Sequence, residues 1–575
     1  MTSCATIPKA FRMMSSDKEG AEALNMNENP ETGPAGNVQA GTEKVENQDL
    51  KRRLRRTWST FFGQAGSLLA AQKMAVLPVL EGKNALIVSP AAGGIPEAVL
   101  APLCEKLLEE GKRGLAVLYL VPTGALAGEI FNMLREQNAR PGLRVSKKTG
   151  TRPDINEENP PDILITTPES LDSLLCRHPG VFEELQAVVL DEIHSIDGSC
   201  RGDQVRLLLE RLREIAGKFS VYAFSAVSGD AIQPGERYMD DFQVLRAGGE
   251  REVNAAYTAS FEEIFELSRE RQLKKVLVFC NTREKAEEIA ALLGKLPGPS
   301  KVVVHHEGLS KWERDEAENF MKNSVRGTCV SAMPPEIGIE AGDLDAIVFG
   351  GVPPDLSSFV QRIGTAGRRT GFVNVFFLCD SRLKTLFELL LDYTKQAHLE
   401  GSVYSPDLSV AVQQIFSVLY SSPRGVNEDY LYGLFNNFCA YEDLKSIIEE
   451  LLAAGLVSSR NRKIYASEFI MNLGEEGTLH SNISPVRTIE AVNARTGKEI
   501  GEVQLPVNCI RDGQAFTLEG KFWEIVEMED SKAYVKKSTV KGVFNSLRTA
   551  SRMGAFFEYL PEKIQKSELE KWQEV

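Results

Sequence analysis

No stretch of this 575-residue chain approaches the roughly 20 consecutive apolar residues that a membrane-crossing helix needs, and no signal-peptide pattern opens it. The expectation is a cytoplasmic protein with no membrane partner. Cysteine is scattered at positions 4, 104, 176, 200, 280, 329, 379, 439 and 509, without a single C-x-x-C pair. That spacing argues against a zinc ribbon and a disulfide framework, and it suits a reducing compartment. His178, His398 and His480 have no partner at metal-ligand spacing. Positive charge is in deficit too: 66 Lys and Arg against 80 Asp and Glu leave a formal charge of -14. The balance lends no support to nucleic-acid binding, yet it leaves room for a binder that gathers its cations on one face.

What is present is ordinary for a globular protein, 43% apolar and 25% charged, with length for about three to five domains. Residues 1–56 read as a disordered tail, rich in Gly, Asn, Glu, Ser and Thr, that ends in the basic run Lys51-Arg52-Arg53-Leu54-Arg55-Arg56. The run reads either as a solvated lead-in to the first helix or as a contact for a phosphate backbone or membrane surface. Over 57–240, the apolar runs Ala85–Val88, Leu115–Val121, Ile163–Ile165, Ala187–Leu190 and Val221–Phe224 alternate with amphipathic spans such as Glu97–Glu110 and Gln204–Ala216. This rhythm predicts βαβ units and a parallel sheet clothed in helices. A second round over 241–398 uses Lys275–Cys280, Lys301–Val304, Thr328–Ser331, Asp345–Phe349 and Val373–Leu378. Two such lobes imply a cleft.

Over 399–475 the pattern changes to three helices, Leu408–Tyr420, Asn427–Asn437 and Tyr441–Ala454, then a short hairpin around Ser459-Arg460-Asn461-Arg462. That is the pattern of a winged-helix module, a unit that serves both as a nucleic-acid reader and as a protein-docking platform. Over 476–575 the chain turns β-rich, and its short strands and regular turn signals predict a small antiparallel barrel followed by a helix. Phe556, Phe557, Tyr559 and Leu560 are the core candidates there, and Trp523 is a core residue or a base-stacking one with Phe522. The fold class is thus α/β: two parallel-sheet lobes, a winged helix and a small barrel-like domain.

The chemistry centres on Ala187–Gly198, AVVLDEIHSIDG. A buried parallel strand ends at Asp191 and Glu192, the end at which open α/β sheets place their ligands. Adjacent carboxylates there suit Mg²⁺-nucleotide chemistry, one holding the metal and the other taking a proton from the attacking water. A phosphate-binding loop adds successive backbone N–H groups, a Lys and a Ser or Thr hydroxyl. After the strand Ala85–Val88 the chain offers Ser89-Pro90-Ala91-Ala92-Gly93-Gly94-Ile95-Pro96-Glu97-Ala98. The glycines and the following helix are in place, but Ile95 stands at the lysine position and Pro96 at the hydroxyl position. Ile brings no charge, and Pro brings neither a hydroxyl nor an N–H.

With these motifs the chain resembles superfamily-2 helicases of the Lhr (large helicase-related) type over roughly residues 57–540. The matching stretches are Gln72 before LPVLEGKNALIV, VPTGALAGE (Val121–Glu129), Thr166–Ser170, DEIH (Asp191–His194), VLVFCNTREKAEEIA (Val276–Ala290), HHEGLSK (His305–Lys311), SAMPPEIGIEAGDLD (Ser331–Asp345), QRIGTAGRR (Gln361–Arg369) and HSNISPVRTIEAVNARTGKEIGEV. The resemblance implies two tandem RecA-like lobes and an ATP–Mg²⁺ site. Gln72, Ala92, Gly93, Gly94, Glu336 and Gly338 would contact nucleotide and Asp191 would hold the metal. Glu192 would activate water, His194 would link the site to the second lobe, Arg368 would reach the γ-phosphate, and Gln361 would belong to the same catalytic set. It also implies nucleic-acid contacts from Pro122, Thr123, Thr167, Pro168, Arg283 and His306, although each of these positions alone also reads as a strand-end turn or a helix cap. The departures from the family pattern, Ile95, Pro96, Val227, Ala332 and Thr365, fall at positions for ATP contact or lobe coupling.

Three functions follow as expectations. The first is a helicase-like subunit with impaired or absent ATP hydrolysis that binds DNA (single-stranded or tailed duplex) or RNA and scaffolds a protein partner, such as one supplying an active ATPase or nuclease. The second is a working ATP-dependent 3′-to-5′ DNA translocase, and the third a protein-interaction module that touches no nucleic acid.

Overall fold

The protein is described from a computed structural model, which covers residues 47–63, 68–89, 94–111, 114–138, 142–150, 155–225, 232–247, 252–296, 301–306, 308–332, 344–353, 359, 362–366, 372–379, most of 383–391, 404–483, 486–506, 513, 515–518, 521–529, 531–538 and 554–574. Of the expected tail, 1–46 lies outside these residues. The basic run is folded: it spans the end of helix α1 (Asn47–Arg53) and the turn that leads into α2 (Trp58–Phe61). Leu50 and Leu54 are fully buried against Phe62, Leu68, Val76 and Ala101, so the cations ride on the solvated face of an amphipathic lead-in. Glu105 fixes the turn by accepting from the Arg56 and Thr57 amides.

The first lobe runs α3 (Ala70–Leu80), β1 (Asn84–Val88), α4 (Ile95–Glu110), β2 (Val117–Leu120), α5 (Gly124–Asn138), β3 (Val145–Lys148), β4 (Ile163–Thr166), α6 (Pro168–Arg177), β5 (Ala187–Leu190), α7 (Cys200–Ala216), β6 (Ser220–Ser225), α8 (Ile232–Tyr238) and β7 (Phe242–Arg246). Its seven strands lie in the order β3-β4-β2-β5-β6-β1-β7, all parallel. β2, β4 and β5 are buried along their whole length. Apolar clusters cover both faces of the sheet, as an all-parallel sheet requires.

The second lobe repeats the theme with β8 (Glu252–Thr258), α9 (Phe261–Glu270), β9 (Lys275–Phe279), α10 (Arg283–Leu293), β10 (Val302–His305), α11 (Lys311–Asn323), β11 (Gly327–Ser331), β12 (Ala346–Phe349) and β13 (Phe372–Leu378). These six strands form a parallel sheet in the order β10-β11-β9-β12-β13-β8. Phe349, Phe359, Phe377 and Phe387 pack on one face, with Phe377 and Phe387 4.4 Å apart between ring centroids. Burying each such ring contributes roughly 1.5–3 kcal/mol.

The third module has α12 (Ser409–Ser421), β14 (Val426–Asn427), α13 (Glu428–Phe435), α14 (Tyr441–Ala453), β15 (Val457–Arg460), β16 (Lys463–Ala466) and α15 (Glu468–Glu476). β15 and β16 form the expected wing, turned at Asn461 and Arg462, both at positive φ (53° and 58°), as a two-residue type I′ hairpin demands. Then come β17 (Val486–Asn493), β18 (Glu499–Pro506), β19 (Ala515–Leu518), β20 (Lys521–Glu529) and β21 (Lys532–Lys537). Their order is β18-β17-β21-β20-β19. The expectation of an antiparallel barrel needs correction here: β17 and β21 pair in parallel, because the chain crosses from β17 through three other strands before returning beside it. Trp523 is buried in the core of this sheet, which assigns it to packing; the side chain of Phe522 lies outside the described residues.

The C-terminal segment leaves the five-stranded sheet. Phe556, Phe557, Leu560 and Ile564, the last on α16 (Glu562–Glu574), join the core of the winged-helix module, together with Leu207 of α7. First lobe, winged helix and C-terminal segment therefore share a core. A buried polar network reinforces the junction. The Asp172 carboxylate of α6 accepts from Arg211 Nη1 (2.8 Å), Ser417 Oγ (2.8 Å), Gln414 Nε2 (2.9 Å) and His480 Nδ1 (2.7 Å).

Candidate functional site

The carboxyl ends of the first lobe's strands collect most of the described residues among those named from the sequence. Asp191 follows β5 directly and is buried. Its Oδ2 accepts from the hydroxyl of Tyr119 on β2 (2.8 Å), and its Oδ1 from the Glu192 amide (2.9 Å). Burial pushes the Asp191 carboxyl up to about 6; the Tyr119 hydroxyl and the Glu192 amide pull the other way, and the Glu97 carboxylate adds to the rise. Burial likewise raises Glu97, which lies in the first turn of α4. Glu192 adopts a left-handed conformation (φ 44°), a strained backbone for a residue with a side chain. Desolvation holds the His194 ring down at about 4, so it is neutral at physiological pH.

Facing these acids is the start of α4. Gly94 is its N-cap, with φ 63°, and Ile95 and Pro96 are its first two helical residues. Ile95 is buried among the apolar residues of the lobe. Proline is comfortable in a first turn, but there it removes one of the N–H groups that such a turn presents to an anion. Gln72 of α3 is also buried: its Oε1 accepts from the Leu69 amide (3.0 Å), and its Nε2 donates to the Gly94 carbonyl (3.2 Å). A Cβ on Gly94 would lie 2.4 Å from that Nε2, and the residue has a φ of +63°, a conformation that favours glycine. Gln72 is thus a brace for the loop, with both ends of its amide engaged by this chain. Ala92 and Gly93 lie outside the described residues.

At the described positions a triphosphate would meet the aliphatic Ile95 in place of an ammonium, and Pro96 leaves the first turn of α4 one N–H short.

The nucleic-acid candidates are placed at strand ends in structural roles. Thr123 Oγ1 accepts from the Leu126 amide (3.2 Å), and Thr167 is the N-cap of α6 with Pro168 at its first position. The Pro122 carbonyl accepts from Arg201 (2.6 Å), which also pairs with Glu169. In the second lobe Arg283 is exposed and paired with Glu284, while His306 is buried on Glu287 (2.8 Å). Ser225 closes β6, its carbonyl accepting from the Ser89 amide (3.1 Å). Gln361, Arg368, Glu336 and Gly338, with Val227, lie outside the described residues. Thr365, at a position where the resemblance expects arginine, spends its hydroxyl on the Arg362 carbonyl (2.7 Å).

Sequence reasoning passed over several contributors. Tyr119 reads as one more apolar residue of a buried strand. Arg362, beside Gln361, is buried over the Phe279 ring and donates to Asn281 (3.1 Å). His480 does have partners: single ligand atoms of Asp172, Cys176 and His480 lie within 4.8 Å of one another. The Arg211 guanidinium already sits on Asp172 (2.8 Å) and near Cys176 Sγ (3.7 Å), so the cluster is already supplied with positive charge by this chain.

Two parallel-sheet lobes, with a glycine turn entering a helix and an Asp–Glu pair at a strand end, define the DEAD/DEAH-box class of helicase domain. DEAD/DEAH box helicase matches residues 69–233, and Helicase conserved C-terminal domain matches 259–370. The ATP-dependent helicase Lhr-Core protein 2 of Thermococcus barophilus is 26% identical over 86% of this chain and 65% of its own length. The ATP-dependent helicase Lhr-Core of Methanocaldococcus jannaschii is 27% identical over 81% of this chain and 61% of its own. Among solved structures, helicase Lhr of Mycobacterium smegmatis bound to ssDNA and AMP-PNP superposes with a TM-score of 0.61 at 21% identity, covering 75% of this chain and 62% of that one. The DUF1998 helicase MrfA bound to DNA gives 0.62 at 19%, over 88% and 75%. The chain has the superfamily-2 DEAD/DEAH-box helicase architecture of the Lhr-Core type. It spans a little under two thirds of those two Lhr-Core proteins.

Proposed function

We propose that this chain is a nucleic-acid-binding, helicase-like scaffold in DNA processing whose ATP hydrolysis is impaired or absent. One observation carries the reading: Ile95 and Pro96 form the first turn of α4 opposite a buried Asp191 that is bonded to Tyr119. Removing the cation that balances a transferring phosphoryl group costs several kcal/mol of transition-state stabilisation, roughly 10³-fold or more in rate. DNA, single-stranded or as a tailed duplex, is the first ligand of choice, with RNA second. The fold-level likeness to the Mycobacterium smegmatis Lhr bound to ssDNA supports this, as do the exposed cations Arg460, Arg462 and Lys463 on the wing. A partner protein supplies the motor or the nuclease.

The test is nucleotide binding and hydrolysis by purified chain, with and without tailed duplex. The expected result is DNA binding at low salt, with turnover at least about 10³-fold below a working helicase. DNA-stimulated hydrolysis at ordinary helicase rates would sink the proposal. The persistence of Asp191 and Glu192 favours one rival, a working translocase, which demands a measurable turnover that Glu192→Gln abolishes.

A further inference from the structure

The winged-helix module carries its charge in an unusual distribution. Between Asn427 and Leu456 there are six carboxylates (Glu428, Asp429, Glu442, Asp443, Glu449 and Glu450) and one lysine, Lys445. α14, the helix that precedes the wing, exposes Tyr441, Glu442, Ser446, Glu449 and Glu450, and its lysine is 3.8 Å from Glu449. A helix bearing that face cannot approach two rows of phosphates, so any nucleic-acid contact of this module falls to the wing.

Glu442 and Asp443 have a structural reason for their place, since carboxylates in a first turn complement the helix dipole. Glu449 and Glu450 have none: near the C-terminal end the same dipole opposes them. Beside the acidic face, the Tyr441 ring is 58% exposed and stacks on Tyr432, with centroids 4.7 Å apart. At the foot of α14 opens a cavity of about 470 Å³, walled by Leu408 and Phe438 and rimmed by Asn436, Asn437 and the Asp443 carboxylate. A lining of mixed polarity with the Asp443 carboxylate in it, next to an exposed aromatic face, suits a long cationic side chain; Arg206 already lies over the Phe438 ring in this way (5.2 Å).

We infer that the α14 face and its cavity form a docking site for a lysine- or arginine-rich segment of a partner protein, one cationic side chain entering the cavity beside Asp443 and others lying along Glu442, Glu449 and Glu450. The inference deepens the scaffold reading and rests on it for the existence of a protein partner; ATP turnover plays no part in it.

The probe is a fluorescein-labelled nonapeptide of alternating arginine and serine, titrated into the full chain by anisotropy at low and physiological salt. Three chains are compared: the parent, Glu442→Lys/Glu449→Lys/Glu450→Lys on α14, and Glu262→Lys/Glu266→Lys/Glu270→Lys on the exposed face of α9, a charge change of equal size. The expected result is at least a tenfold loss of peptide affinity for the α14 variant and less than a twofold change for the α9 variant. Tyr441→Ala, which alters no charge, is expected to weaken binding severalfold, with unfolding midpoints of all variants checked against the parent. Equal losses in both triple variants, or a parent that does not bind the peptide, would overturn the inference. So would a tailed-duplex affinity that the α14 variant raises more than the α9 variant, which would place α14 against nucleic acid. Parental turnover and DNA binding are read separately, so failure of the scaffold reading and failure of this site remain distinguishable.

Discussion

Asp191 stands buried at the C-terminal end of β5, bonded to the Tyr119 hydroxyl. In the folded state its carboxyl is raised by burial to about 6, from an ordinary 3.8. A carboxyl raised on folding keeps its proton longer in the native state than in the unfolded chain. Below pH 4 both states are protonated and nothing is lost; between pH 4 and 6 the unfolded chain ionises first, and stability falls; above pH 6 the penalty is constant. A rise of that size corresponds to roughly 3 kcal/mol. Asp191→Asn is therefore expected to raise the denaturation midpoint at pH 7–8 while leaving it unchanged near pH 4, read from urea unfolding across that range. Ile95→Lys combined with Pro96→Thr restores the missing cation and hydroxyl. It is expected to strengthen binding of a fluorescent ATP analogue by about tenfold or more, a single charge-assisted contact being worth about 1.5–3 kcal/mol. No gain in binding would show that the loop fails for a reason other than its missing charge.

Among the elements, α6, α7 and α12 meet at a carboxylate that no sequence pattern announces. Burial alone would depress His480, but the hydrogen bond and charge of Asp172 override it and lift the ring to about 9 from 6.5. A histidine raised on folding stabilises fully below its ordinary value, and that stability is lost as pH climbs from 6.5 through 9. His480→Gln is expected to lower the unfolding midpoint at pH 6, by an amount on the order of 2–3 kcal/mol, and to remove the parent's decline between pH 6.5 and 9. An unaltered pH profile would mean that the ring is not charged in this pocket. Asp172 and His480 are 308 residues apart in sequence, which explains why spacing could not reveal the pair. The strands were readable because parallel strands buried on both faces are continuous apolar runs, as at Ala187–Leu190. β3, VSKK, was not: at the edge of the sheet its pairing with β4 holds it, without apolar periodicity. The wing was readable from the short runs Leu456–Ser459 and Lys463–Tyr465 on either side of its tip, where Asn461 and Arg462 turn the chain at positive φ. The acid pair and the absent lysine were equally plain from residue type. The Tyr119 bond to Asp191 was not, since a tyrosine in LAVLYLV looks like any other core residue until the register of β2 on β5 is known.

For the whole molecule the decisive feature is which parts share a core. Leu207 of the first lobe packs in one cluster with Phe416, Phe435, Phe556 and Ile564 of the winged helix and C-terminal segment. Around it Arg211, Gln414, Ser417 and His480 converge on Asp172, and the Asp203 carboxylate accepts from the Asp407 amide (2.8 Å) and from Arg206 (3.2 Å). Separating these parts would leave the Asp172–Arg211 pair intact within the first lobe but strip Asp172 of Gln414, Ser417 and His480, at about 1.5–3 kcal/mol for each hydrogen bond lost from a charged group. The second lobe has its own aromatic core, to which no residue of the winged helix contributes among the described residues. Native-state hydrogen exchange is therefore expected to show α6, α7 and α12 opening together, with one common free energy and one common denaturant dependence. β9 and β12 of the second lobe are expected to open with a different free energy. Asp172→Asn should lower the opening free energy of α12 and α7 together and leave β9 and β12 within error, because the lost contacts all lie on one side of that division. Were α12 to exchange independently of α7, the winged helix would be a tethered module free to move against the first lobe; its acidic helix and basic wing would then lack the fixed platform that a scaffold needs to hold nucleic acid and partner in register.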